Sequence, residues 1–91
     1  MSVRVQVRFL LHFEGWAGTK EAFVEAETVG ELLAKVQDEY GLRDRILDGD
    51  RTKPWTRVLL NGRDVFLLDG LGTPLSLGDR IALVFPFIES G

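Results

Sequence analysis

The stretch Gly78-Asp79-Arg80-Ile81-Ala82-Leu83-Val84-Phe85-Pro86-Phe87-Ile88-Glu89-Ser90-Gly91 is the last of the 91-residue sequence, and its reading decides the fold. Ile81, Leu83 and Phe85 fall on one face, Arg80, Ala82 and Val84 on the other. A period of two is that of a strand half-buried in a core. Gly78-Asp79 before it is turn chemistry. Pro86 lacks a backbone donor, so pairing is expected to stop there. The expected domain therefore runs over residues 1–86, and residues 87–91 leave it as a short flexible tail. Two readings of that tail stand side by side. Either the carboxylate of Gly91 is a working group, or the segment is an ordinary frayed end.

Composition narrows the classes. The length suits one small domain. Net charge is −3 with both signs interspersed and no basic run, so nucleic acid is not an expected partner. No apolar run approaches a membrane span, so no membrane role is expected. The first residues begin a strand at once, without the apolar core of a signal peptide. The chain has no cysteine, which removes disulfides, thiolate metal sites and cysteine nucleophiles together. The cytoplasm is the expected location. His12 is the only histidine, and it has no metal-binding neighbour in sequence, so no metal ligand set and no catalytic residue are expected.

Upstream, Val3, Val5, Val7, Phe9, Leu11 and Phe13 occupy every odd position. They read as one long first strand with its odd residues facing the core. Glu14 to Thr19 follows as a glycine-punctuated turn, with Trp16 capping the end of the core. Residues 20–27 form a second, antiparallel strand. Phe23 falls either outward, in an exposed apolar cluster with Leu10 and His12 that would suit docking, or inward if the register slips by one. Thr28-Val29-Gly30-Glu31 is a capping box. Val29, Leu32, Leu33, Val36 and Tyr40 then recur at helical spacing, and Gly41 ends the helix. Residues 42–56 are highly charged and read as a solvated loop pinned by Ile46, Leu47 and Trp55. Asn61-Gly62 is a strong hairpin signal between a short strand at residues 57–60 and its return at 63–65.

These elements give an α+β fold: a mixed sheet of four to five strands packed on one main helix, with the first and last strands adjacent and parallel in its centre. This is a β-grasp, ubiquitin-like arrangement. At this point the chain resembles the MoaD/ThiS family of ubiquitin-like sulfur carriers, the MoaD branch most of all. The resemblance runs through the Trp16-Ala17-Gly18 turn, the Thr28-Val29-x-Glu31-Leu32-Leu33 helix start and Leu60-Asn61-Gly62-Arg63. It ends with Leu75-x-x-Gly78-Asp79-x-Ile81-x-x-x-Phe85-Pro86.

The resemblance implies a carrier that is not catalytic alone. It would bind no cofactor; a partner resembling the ubiquitin activators would use ATP to adenylate Gly91. A sulfur donor would convert the adenylate to a thiocarboxylate. A MoaE-like large subunit would then complete a molybdopterin synthase, in which the sulfur is delivered during molybdopterin-type cofactor synthesis. Ile88, Glu89 and Ser90 would thread into the partner, and Phe85, Phe87, Leu10 and Phe23 would dock it. The family typically ends in Gly-Gly, often after Phe-Pro-Pro; here Ser90 and Phe87 stand at those positions. The other reading is a binding module that docks through its exposed sheet face and has no use for Gly91.

Overall fold

The computed structural model describes residues 2–43, 45–49 and 51–85. Alternation in the first residues builds β1 (Val3–Phe9), with Val5, Val7 and Phe9 buried. The strand stops at Phe9, not at Phe13 as the odd-position pattern suggested. Residues 12–17 are a helix, α1 (His12–Ala17), where a strand end and a turn were expected. The Leu10 N–H still bonds the Leu83 carbonyl at 3.1 Å. Leu11 then turns to φ 53°, ψ −122°. The Phe13 and Glu14 N–H groups donate back to the Leu10 and Leu11 carbonyls, each at 3.1 Å. Six residues cannot hold a helix by propensity. Full burial of Phe13 holds this one. Phe13 has inward parity on either backbone, which is why the pattern concealed the change.

β2 (Glu21–Ala26) pairs antiparallel with β1, placing Val24 opposite Val5 and Phe23 opposite Gln6. Ala22, Val24 and Ala26 face the core, so Phe23 points outward. The capping box forms as read: the Glu31 N–H donates to the Thr28 hydroxyl at 3.2 Å and starts α2 (Val29–Glu39). Val29, Leu32, Leu33 and Val36 are fully buried along one stripe, and Tyr40 lies at its edge against Phe9. Gly41 has φ +66°. The Leu42 N–H then bonds the Gln37 carbonyl at 2.8 Å, a Schellman closure that delivers Leu42 to the core. Gly30, inside the helix, has a packing reason. A Cβ there would meet the Leu71 carbonyl oxygen at 3.1 Å.

The charged segment after α2 is more ordered than a solvated loop. It contains a small hairpin, β3 (Leu47–Asp48) and β4 (Arg51–Thr52). Leu42 and Ile46 are fully buried, and Leu47 packs on the core's rim. The buried Thr56 hydroxyl donates to the Arg45 carbonyl.

β5 (Arg57–Leu60) turns at Asn61-Gly62 into β6 (Arg63–Asp64), and two short 3-10 turns lead on to β7 (Arg80–Val84). The five-stranded sheet has the order β2-β1-β7-β5-β6. β7 lies parallel to β1, with Ile81 beside Val7, and antiparallel to β5, with Leu83 beside Val58. Ile81 and Leu83 are fully buried in the same core as the α2 stripe. The first and last strands thus form the centre, as the sequence reading required.

Candidate functional site at the root of the C-terminal segment

β7 is paired on both sides, so its direction is fixed by two ladders. The next residue, Phe85, is held by side chains. Its ring meets His12 edge-on at 5.1 Å and Trp16 edge-on at 5.6 Å. Trp16 stacks on His12 at 5.6 Å and meets Phe13 edge-on at 5.1 Å. The Arg45 guanidinium lies 4.2 Å from the centre of the Trp16 ring. Three segments distant in sequence converge here: α1, the end of β7, and the segment after α2. Aromatic contacts of this kind contribute about 0.5–1.5 kcal/mol each beyond the area they bury. An exposed cation–π contact adds about 0.5–1 kcal/mol.

The cluster caps one end of the core through Trp16, as the sequence suggested. Of the residues assigned to docking, Phe85 is half-buried in this cluster. Leu10, the residue after β1, is half-buried, with its N–H bonded to the Leu83 carbonyl. Phe23 is elsewhere: 53% exposed on the outer face of the sheet, with the Arg4 guanidinium 4.5 Å from its ring centre. It sits opposite Gln6, four residues down β1 from Leu10, roughly 13 Å along the strand. The expected cluster of Phe23, Leu10 and His12 is therefore not assembled, because His12 belongs to α1 and turns to Trp16. Phe87, Ile88, Glu89, Ser90 and Gly91 lie outside the described residues.

The outer face carries a feature that reading the chain linearly misses. Arg4 and Arg8 of β1 and Arg80 of β7 lie on one face, because alternate residues share a face and Gln6 pairs with Arg80. Two shallow depressions adjoin Arg80. One, of about 330 Å³, is lined by Arg8, Leu59 and Ala82; the other, of about 470 Å³, by Arg4, Phe23 and Leu77. The signal was present as the polar parity of β1 and β7, but strand order was needed to join them. Among the described residues no group of three or more His, Asp or Glu is arranged to hold a metal ion.

A mixed sheet crossed by one helix, with its last strand central and parallel to its first, defines a ubiquitin-like β-grasp protein. Residues 10–88 match the profile of the ThiS family, and the chain belongs to that family, the ThiS/MoaD group of ubiquitin-like sulfur carriers and modifiers. Small archaeal modifier protein 3 of Haloferax volcanii is 36% identical over 93 residues, covering 98% of this chain and 100% of that one. The solution structure of small archaeal modifier protein 1 from Methanosarcina acetivorans matches with a TM-score of 0.86 at 26% identity, over 99% of each chain. A chain of the Amycolatopsis orientalis BexX/CysO complex matches with a TM-score of 0.82 at 22% identity, over 96% of this chain and 99% of that one; there the likeness is one of fold.

Proposed function

We propose that the carboxylate of Gly91 is the group this chain carries. A partner enzyme binds ATP, and a Gly91 carboxylate oxygen attacks the α-phosphorus. The bond to that phosphorus forms, pyrophosphate leaves, and an acyl-adenylate remains. Hydrosulfide from a sulfur donor attacks the acyl carbon, AMP leaves, and a thiocarboxylate results. Delivery of that sulfur to a pterin, together with a MoaE-like large subunit, is the molybdopterin-type form of this reading. A second form is favoured by the 36% identical relative, which is named a modifier. There an amine attacks the activated acyl carbon, AMP leaves, and an amide bond joins Gly91 to another protein. Both forms share the adenylate.

The observation that carries the reading is the root itself. A strand held on both sides hands the chain to a ring-clamped Phe85. Six residues follow it to Gly91, a reach of roughly 20 Å when extended. A carrier needs no acid, base or metal of its own; it needs a fixed body and a segment that another active site can accept. Glycine at the end suits that need, since it has no side chain. A cytoplasmic setting with ATP-using partners fits, and no helix among the described residues is long and apolar enough to cross a membrane.

The test is the intact mass of the untagged protein from its own cell. A gain matching exchange of one carboxylate oxygen for sulfur, mapped to Gly91, supports sulfur carriage. A branched peptide joining Gly91 to a lysine of another protein supports modification. An unmodified chain after incubation with ATP, sulfide and the cell's own extract overturns both forms and favours docking through the outer sheet face.

A further inference from the structure

Leu11 combines a demanding backbone with an unburied side chain. Its φ 53°, ψ −122° is the first central position of a type II′ turn, where glycine is the usual residue because a Cβ is crowded there. Leu11 is 67% exposed, so burial does not offset the strain. The fold explains the conformation: the turn lets α1 start and brings Phe13 into the core. It does not explain the leucine, since glycine would make the same turn with less strain. A non-glycine residue held in such a region raises the unfolding equilibrium constant by roughly tenfold or more.

Position supplies the missing reason. Leu11 adjoins His12, whose ring packs on Phe85. In the reading above, on which this inference rests, the receiving enzyme must reach a carboxylate only six residues beyond Phe85. Its surface therefore closes over the ground around that root, within roughly 20 Å of it. There it meets an exposed aliphatic residue one position before His12, whose ring stacks on Trp16, and Trp is among the residue types that dominate binding energy at interfaces. We infer that Leu11 is a contact residue for the adenylating enzyme that receives Gly91. The strained turn is kept for that contact, and the enzyme offers an apolar pocket beside the entrance to its active site.

The experiment uses the full chain and the ubiquitin-activator-like adenylating enzyme of the same organism, followed by ATP–pyrophosphate exchange. Leu11→Ala keeps the Cβ and removes the contact. Leu11→Gly also relieves the turn. Both variants should raise KM for the carrier about tenfold with kcat kept, the signature of lost uniform binding. Leu67→Ala, at a leucine 81% exposed elsewhere, should leave both constants unchanged. In urea, Leu11→Ala should match the parent, while Leu11→Gly should lower the unfolding equilibrium constant by roughly fivefold, the relief being partly cancelled by glycine's freedom in the unfolded chain. Normal KM in both Leu11 variants, with the parent charged, overturns the contact. An unchanged or less stable Leu11→Gly overturns the strain. A parent chain that is never charged overturns the Gly91 reading itself and, with it, the partner named here.

Discussion

Leu11 and Asn61 turn the chain at nearly the same angle, φ 53° and φ 51°, and are the two non-glycine residues with positive φ among those described. Their neighbourhoods differ. At Asn61 the residue itself supplies the turn. Its amide nitrogen donates to Asp79 at 3.0 Å, and its amide oxygen accepts from the Arg80 N–H at 3.0 Å. Gly62 follows at φ +86°, completing the pair that a tight hairpin favours. At Leu11 no side-chain bond caps the turn. The turn there is imposed from a distance, by the burial of Phe13 and by the anchoring of Leu10 on β7. One turn is local chemistry and the other is a tertiary demand.

Substitutions at five positions can break or sharpen that contrast. The largest effect belongs to Phe13→Ala, which removes the burial that imposes the Leu11 turn. It should destabilise by about 3–5 kcal/mol in urea denaturation. In that background Leu11→Gly should gain less than it does alone, because residues coupled through one turn are not additive. Full additivity would mean the turn stands without Phe13. Asn61→Ala comes next. It loses the local bonds and places a Cβ at positive φ, and should cost about 1–3 kcal/mol. Asn61→Gly keeps the angle and should cost less; an equal loss would show that the bonds, not the backbone, decide that turn.

Thr28→Ala tests a third feature read from local chemistry. Loss of its cap on α2 should cost about 1 kcal/mol, measured the same way. The smallest effect is at Tyr40, set by tertiary surroundings. Burial first, and then the charge of Glu39, raise its hydroxyl pKa above the ordinary 10.0. The fold thus favours the neutral phenol. That contribution is complete below pH 10 and is lost as pH rises through the folded value. Tyr40→Phe should remove this part of the alkaline loss, seen by comparing denaturation of the two chains on either side of pH 10.

The same division explains what could be read from the chain and what could not. The α2 cap, its apolar stripe, the Gly41 stop and the Asn61-Gly62 hairpin rest on residues within a few positions of each other. So does the alternation of β1 and β7, which places both in the core. The end of β1 was illegible because Phe13 keeps inward parity whether the backbone extends or coils. The burial of Ile46 could be read as a pin on this segment, but that of Leu42 was hidden at the start of a run of charges, because only the folded C-terminus of α2 shows the Schellman closure that turns it inward. At the candidate site, Phe85 and Trp16 were each visible as candidates. Their meeting with His12 and Arg45 depended on packing between distant segments. The arginines of the outer face were visible one by one, but only the parallel pairing of β1 with β7 makes them neighbours.

That parallel pairing also governs the order of assembly. The middle strand, β7, follows the other four strands of the sheet in sequence, so β1 and β5 are not joined until residues 80–84 have emerged. Their union is a distant contact, of the kind that makes folding wait on loop closure. A product cut short before Arg80 leaves two open edges where the middle should be, and such edges invite proteolysis or aggregation. A closed sheet is therefore a certificate of translation: it exists only in chains that have been made as far as the root from which the C-terminal segment departs.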